Sequence, residues 1–262
     1  MTEKPVATPV PAATILIVRD SARGPEVFMV KRHHQIDFVA GALVFPGGKA
    51  TKSDFDPALA EFCDGAGGWN AEMCALGAAA IREAFEESGI LFAREAGCPV
   101  YITEERLSGL DHYRHPLEKG EISLLDVLRK ERLHIALDAL AHFAHWITPE
   151  NMPKRFDTHF FLAAAPAGHA GRHDGRESVD SIWITPNDAI NDRKKWNVIF
   201  PTKLNLMKLA GAANVQAAIE AADAAPPLTV TPWVEEGENG AVLRIRDDAG
   251  YAQTSAMLRE AM

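Results

Sequence analysis

The stretch Ala78-Ala79-Ala80-Ile81-Arg82-Glu83-Ala84-Phe85-Glu86-Glu87-Ser88-Gly89-Ile90 constrains this chain more than any other. At helical pitch Cys74, Ala78, Ile81 and Phe85 recur at i, i+4, i+7 and i+11, a narrow apolar seam that must press onto a core. Glu83, Glu86 and Glu87 fall at i, i+3 and i+4 on the opposite side, so three carboxylates share about one turn. Like charges at that spacing destabilise an isolated helix by about 0.2–0.5 kcal/mol per pair. A positive partner would relieve the crowding, either Arg82, four residues before Glu86, or a metal cation. Taken alone, the helix fits a solvated acidic face better than a cation site. Asn70 is the expected N-cap, with Met73 three residues on, and Gly89 stands where a left-handed C-cap is commonly needed.

The upstream run Phe45-Pro46-Gly47-Gly48 shifts that balance, because a Gly-rich turn feeding a carboxylate helix can offer a backbone carbonyl to the same cation. Together the two segments resemble the Nudix box: Gly, five residues, Glu, seven residues, then Arg-Glu-apolar-x-Glu-Glu-x-Gly-apolar. The second half is matched from Arg82 to Ile90, while Arg82 stands thirty-four positions after Gly48 where the common box has fourteen. Twenty residues must therefore loop out. Asp54 stands six after Gly48, at the place of the first Glu of the box, whereas counting back eight from Arg82 reaches Cys74.

Outside the box, Trp146-Ile147-Thr148-Pro149, Arg155-Phe156-Asp157-Thr158-His159-Phe160-Phe161 and Trp183-Ile184-Thr185-Pro186 resemble the Nudix branch related to peroxisomal and mitochondrial coenzyme A diphosphatases, which also tolerates an insertion in its box. The resemblance runs from roughly Thr14 to Ala210. Of that branch's upstream coenzyme A pattern, Arg32 and Gly41 match, and Asp37 stands at the second arginine position.

The resemblance implies an α/β fold, a Nudix-like α/β/α sandwich around a mixed sheet, and a Mg²⁺ or Mn²⁺ cofactor. It makes Glu86 and Glu87 metal ligands, adds the Gly48 carbonyl, gives Glu83 the role of ligand or water-activating base, and has Arg82 orient the carboxylates. A distal acid from a loop between late strands is assigned to Glu177; a surface-loop Glu is the equal alternative. Arg32 is a candidate phosphate contact or a cation ending an exposed strand, the latter slightly favoured. Arg155 is a second substrate-binding candidate, although an ion pair with Asp157 that holds the loop together is the better expectation.

Composition bounds the remaining choices. With 47% hydrophobic and 24% charged residues among 262, the chain reads as an ordinary soluble globule. A net charge of −9 argues against general nucleic-acid affinity, which needs clustered Lys and Arg. Cys63, Cys74 and Cys98 fit neither a disulfide framework nor a metal pattern, so they are read as packing residues in a reducing compartment. No apolar run approaches the length of a membrane span, and the expected location is the cytoplasm. His33-His34, His112-His115 and His169-His173 lack companion ligands at zinc spacing and are read as exposed loop residues.

In chain order, residues 1–12 are expected as a flexible tail and 13–262 as a single domain. Ala13 to Val18 and Val27 to Lys31 read as a hairpin, and Ala42 to Phe45 as a third strand. Residues 49–69 read as an inserted loop and 103–139 as a helical insertion. Phe143 to Thr148, His159 to Ala164 and Ser181 to Thr185 are strand-like, Pro201 to Ala212 is helical, and Leu228 to Tyr251 forms a terminal hairpin about Gly237 to Gly240. Because Gly48 and Glu83 must lie side by side, the first insertion should emerge as an acidic excursion beside the cleft and shape which leaving group fits.

The expected activity is divalent-metal-dependent hydrolysis of the diphosphate linkage in a small nucleoside diphosphate derivative, with coenzyme A or its acyl esters first and dinucleotides or nucleotide sugars next. A non-catalytic nucleotide-sensing module is the reading from a different class. No nucleic-acid or membrane partner is expected, and the resemblance leaves room for a homodimer.

Overall fold

The computed structural model describes residues 6–32, 41–176, 178–238 and 240–261. In chain order its elements are β1 (Val10–Ser21), β2 (Gly24–Arg32), β3 (Leu43–Val44), β4 (Gly47–Lys49), β5 (Cys63–Asp64), α1 (Ala71–Ser88), β6 (Ala93–Glu95), α2 (Glu104–Ser108), α3 (Arg114–Glu118), α4 (Leu124–Glu131) and β7 (Leu133–Ala136). There follow β8 (Ala141–Ile147), β9 (Phe156–Ala164), β10 (Ser178–Ile184), α5 (Pro186–Asn191), α6 (Phe200–Ala210), α7 (Val215–Asp223), β11 (Thr229–Val230), β12 (Trp233–Gly237), β13 (Gly240–Arg244) and β14 (Ser255–Met257).

The central sheet runs β10-β2-β1-β9-β8-β11, with β3 beside β2 and β4 beside β1. It is mixed: β1 lies parallel to β9 and β11 parallel to β8, whereas the other pairings are antiparallel. Alternation along β1 sorts the residues into two cores. Ala13, Ile15 and Ile17 face α1 with Phe161 and Ala163. Leu16 and Val18 face the other way, with Leu162 from β9 and Leu204 and Leu209 from α6. Helices thus cover both faces of the sheet, the layering that two apolar faces require.

The caps of α1 are those its sequence calls for. The Asn70 side chain accepts from Met73 N–H at 2.8 Å, and Gly89 closes the helix at φ 68°. Several boundaries differ from expectation. β1 begins at Val10, inside the segment read as a tail, because its first residues find a parallel partner in β9, beginning with Val10 opposite Phe156. Residues 49–69 hold two 3₁₀ turns, Lys52–Phe55 and Pro57–Phe62, with Thr51 and Asp54 capping each other. The second insertion is helical but ends in strand β7, which pairs with β5 of the first insertion and with β6. At the C-terminal end β12 and β13 form the expected hairpin, with Gly237 opposite Gly240, while β14 adds a third strand and β11 joins the central sheet. None of the described helices is long and apolar enough to cross a membrane.

Candidate active site

The acidic front of α1 is not solvated. Every residue from Ala75 to Ser88 is buried, and Arg82, Glu83, Glu86 and Glu87 are 5–9% exposed. Arg82 organises the cluster. Its Nη1 donates to Glu83 Oε1 at 2.8 Å and to Glu86 Oε1 at 3.0 Å, and its Nη2 donates to the Lys49 carbonyl at 2.9 Å. The other edge of the guanidinium grips Asp54, with Nε to Oδ1 at 2.9 Å and Nη2 to Oδ2 at 3.0 Å. Asp54 is itself 2% exposed. The fork geometry of a guanidinium suits such a bidentate grip.

Strand β4 brings the Gly-rich turn against this cluster. Gly47 N–H donates to Glu87 Oε2 at 3.2 Å. A Cβ on Gly48 would stand 2.6 Å from Glu83 Oε2, so only glycine lets the backbone come this close to the carboxylate. Burial pushes the Glu86 carboxyl well above the usual carboxylate range; Arg82 pulls it back, and the like charge of Glu83 adds to the rise. One guanidinium shared by three carboxylates leaves Glu86 under-compensated. At the helix end, Arg114 from the second insertion donates to the Glu86 carbonyl through Nε at 3.1 Å and Nη2 at 3.0 Å, satisfying a last-turn acceptor.

Of the remaining candidates, Glu177 lies outside the described residues, as do His33 and His34. Arg32 ends β2 opposite Ser178, and its buried Nε has no hydrogen-bond partner among the described residues. Arg155 is spent differently from the substrate contact or ion pair considered for it. Its Nε donates to Thr148 O at 3.0 Å and its Nη1 to Ala7 O at 2.9 Å, so it ties the β8–β9 loop to the segment before β1. Asp157 turns to His145 instead. His169, expected as exposed, is buried and bonds the Ile102 carbonyl through Nε2 at 2.9 Å.

The family profile of the NUDT19 Nudix domain matches residues 70–204, more than half of the chain. The chain belongs to the Nudix family. Among curated relatives, the acyl-coenzyme A diphosphatase NUDT19 of Xenopus laevis is 26% identical over 215 residues, covering 67% of this chain and 57% of that protein. The protein of the same name from Gallus gallus is 26% identical over 217 residues, covering 66% of this chain and 57% of its own length. The chain thus spans little more than half the length of these relatives. Among solved structures, a Nudix hydrolase from Alicyclobacillus acidocaldarius superposes with a TM-score of 0.69 at 27% identity, covering 82% of this chain and 96% of that one.

Seen as a Nudix box, the split motif closes in space. Asp54 meets Arg82 across 28 residues of sequence, which settles the early acidic position in favour of Asp54 over Cys74. Nudix hydrolases generally use divalent metals, and the residues here fit one. The side-chain donors gathered at Glu83, Glu86 and Glu87 are all oxygens, the hard set that Mg²⁺ and Mn²⁺ prefer, and Glu86 is short of positive charge. The Gly48 carbonyl, expected as a further ligand, faces Ala13 in the β1–β4 ladder, between the Ile15–Pro46 and Ala50–Pro11 bonds.

A second group escaped the sequence reading altogether: His145, Asp157 and His159, on β8 and β9, whose ligand atoms all lie within 4.8 Å of one another. Both strands are visible as apolar runs, but only their register, His145 opposite His159, brings the three together. The signal available was the i, i+2 pair Asp157 and His159 on one strand of a hairpin, facing a His on the other.

Proposed function

We propose that the chain hydrolyses the diphosphate linkage of a small nucleoside diphosphate derivative, with coenzyme A or an acyl-coenzyme A as the preferred class. The observation that carries the reading is the buried oxygen cluster, in which Glu83, Glu86, Glu87 and the Gly48 backbone converge while Arg82 is held by Asp54. The similarity to acyl-coenzyme A diphosphatases supports the substrate class.

Mg²⁺ or Mn²⁺ held by Glu86, Glu87 and Glu83 would screen the diphosphate charge and make a water more nucleophilic at neutral pH. Arg82 fixes the Glu83 and Glu86 carboxylates through its paired N–H groups. In the hydrolysis, the water oxygen bonds to one phosphorus as the bridging P–O bond breaks, and the departing phosphate carries away the electron pair. Glu83 is the candidate to take the water's proton. Arg32, whose Nε has no hydrogen-bond partner among the described residues, is the candidate cation for the substrate phosphates.

The test is a diphosphate panel of coenzyme A, acyl-coenzyme A, a dinucleotide and a nucleotide sugar, incubated with Mg²⁺ or Mn²⁺ and read by mass. Coenzyme A substrates are expected to be split fastest. Glu86→Gln is expected to lower turnover by more than about 100-fold, since even outer partners of a metal site cost about 10–100-fold. Wild-type activity in that variant at saturating Mg²⁺ would remove Glu86 from the site. No product from any substrate would leave the nucleotide-sensing module as the better reading.

A further inference from the structure

The polar group on β8 and β9 is built like a metal site of another kind. His159 stands opposite Ala13 of β1, and Ala13 stands opposite Gly48 of β4, so the group shares a cross-strand row with the box but lies two strands away. At about 4.8 Å per strand, the His159 backbone is roughly 10 Å from that of Gly48. The row places His159 on the α1 side of the sheet, the side of Ala13 and Phe161.

Within the group, the ring nitrogens are already sorted. His145 Nδ1 is held by Thr229 Oγ1 at 2.8 Å, and His159 Nδ1 by His142 Nε2 at 3.1 Å. Each ring therefore turns its Nε2 toward Asp157 Oδ1, at 2.5 Å for His145 and 3.8 Å for His159. Orientation of a ligating imidazole by a hydrogen bond to its other nitrogen is how protein metal sites fix the ring and its tautomer. The three side chains keep 14–37% of their surface exposed, so an ion can reach them from solvent. Metal–ligand bonds of about 2.0–2.2 Å in a tetrahedral arrangement put ligand atoms roughly 3.3 Å apart. Moving the Asp157 carboxylate off His145 lengthens their 2.5 Å contact toward that spacing, and the His145 and His159 rings, stacked 3.9 Å apart, splay so that both Nε2 atoms face the ion.

We infer that His145 Nε2, His159 Nε2 and one Asp157 oxygen form a binding site for a zinc-class divalent ion, distinct from the carboxylate cluster of the box, with His142 and Thr229 as positioning residues. Two imidazoles and one carboxylate favour Zn²⁺, Co²⁺ or Ni²⁺ over Mg²⁺, whose preference is all-oxygen coordination. Three protein ligands leave a fourth position open, and the ion would join β8 to β9 at the point where β11 attaches through Thr229. The site stands on its own residues and does not depend on the hydrolase reading.

The test uses the full chain, stripped with chelator, and titrates Zn²⁺ by calorimetry and Co²⁺ by its visible ligand-field absorption, both with excess Mg²⁺ present. One equivalent of Zn²⁺ is expected to bind in the wild type and equally in Glu86→Gln, with imidazole-type Co²⁺ spectra in both and a higher thermal midpoint. His145→Asn and Asp157→Asn should each weaken Zn²⁺ binding by more than about 100-fold, and His142→Gln by roughly 10-fold. Circular dichroism of the metal-free variants shows whether each has folded. His142→Gln alters no ligand, so it keeps the test decisive if a ligand variant does not fold. Zn²⁺ that is lost in Glu86→Gln but retained in His145→Asn would place the ion in the box and overturn the assignment. Absence of Zn²⁺ binding to the wild type would reduce the group to a hydrogen-bonded His–Asp cluster.

Discussion

Asp54 and Arg82 show what single residues contribute and why the sequence made one of them legible and the other ambiguous. Arg82 declares itself by its place beside three Glu residues on one helix, a local pattern. Asp54 is legible only by counting from Gly48, and the competing count from Arg82 reaches Cys74; chain distance alone cannot choose, but a bidentate contact can. The solvated front that fits the helix taken alone fails for a related reason. Its cover comes from residues 28 before Arg82 and 28 after Glu86, Asp54 and Arg114, which no local window contains. We predict that Asp54→Asn costs about 3 kcal/mol of folding stability, the low end for removing one partner of a buried pair, because Glu83 and Glu86 still face Arg82. Urea unfolding measures it. A midpoint equal to the wild type would show that water already compensates Arg82.

At the scale of elements, α1 and its caps were readable because helix periodicity and capping chemistry are local. The third strand, read over Ala42 to Phe45, appears as β3, and a further short strand that the reading did not contain, β4, follows Pro46 at the two glycines. Proline has no N–H to give a ladder, so the chain changes partner there, from β2 to β1. The two glycines after it have different jobs. A Cβ on Gly47 would lie 2.5 Å from Thr14 Oγ1 and 2.7 Å from the Ala13 carbonyl, and that backbone cannot yield without opening the β1–β4 pairing. The Cβ on Gly48 would instead meet the far end of the Glu83 side chain, which can swing away. Gly47→Ala is therefore expected to lower stability by about 1–3 kcal/mol, the range for overpacking. Gly48→Ala should change stability by less than about 1 kcal/mol while displacing Glu83 and lowering turnover. Thermal unfolding and activity measured on both variants check the contrast; equal stability losses would mean that Glu83 is as fixed as the backbone.

For the whole molecule, the three-layer arrangement followed from the resemblance to Nudix proteins, with which the order of strand and helix patterns agrees, but the status of the insertions did not. They read as additions to a sandwich because neither has a long apolar periodicity of its own. In the structure they complete one another. Cys63 and Asp64 pair with Ile135 and Ala136, and Leu59 of the first insertion enters the same core as Leu107, Leu124 and Leu128 of the second. Thr51, Lys52 and Ser53 also wall a cleft with Ile122, Ser123 and Asp126, and Arg82 lies in its lining. Of the expected acidic excursion, the residues that line this cleft, Thr51, Lys52 and Ser53, carry no carboxylate, and Asp54 is turned inward. Replacing residues 53 to 67 by a short Gly-Ser linker would remove both the Asp54 partner of Arg82 and the buried Leu59. The first loss is worth about 3–5 kcal/mol and the second about 2–5 kcal/mol. Against a total stability of about 5–15 kcal/mol for a domain, the sum leaves little margin. We therefore expect the linker variant to unfold many degrees below the wild type and to lose hydrogen-exchange protection across β5–β7 and the Arg82 end of α1. A shifted substrate ranking in a variant of unchanged thermal midpoint would show instead that the segment only borders the substrate.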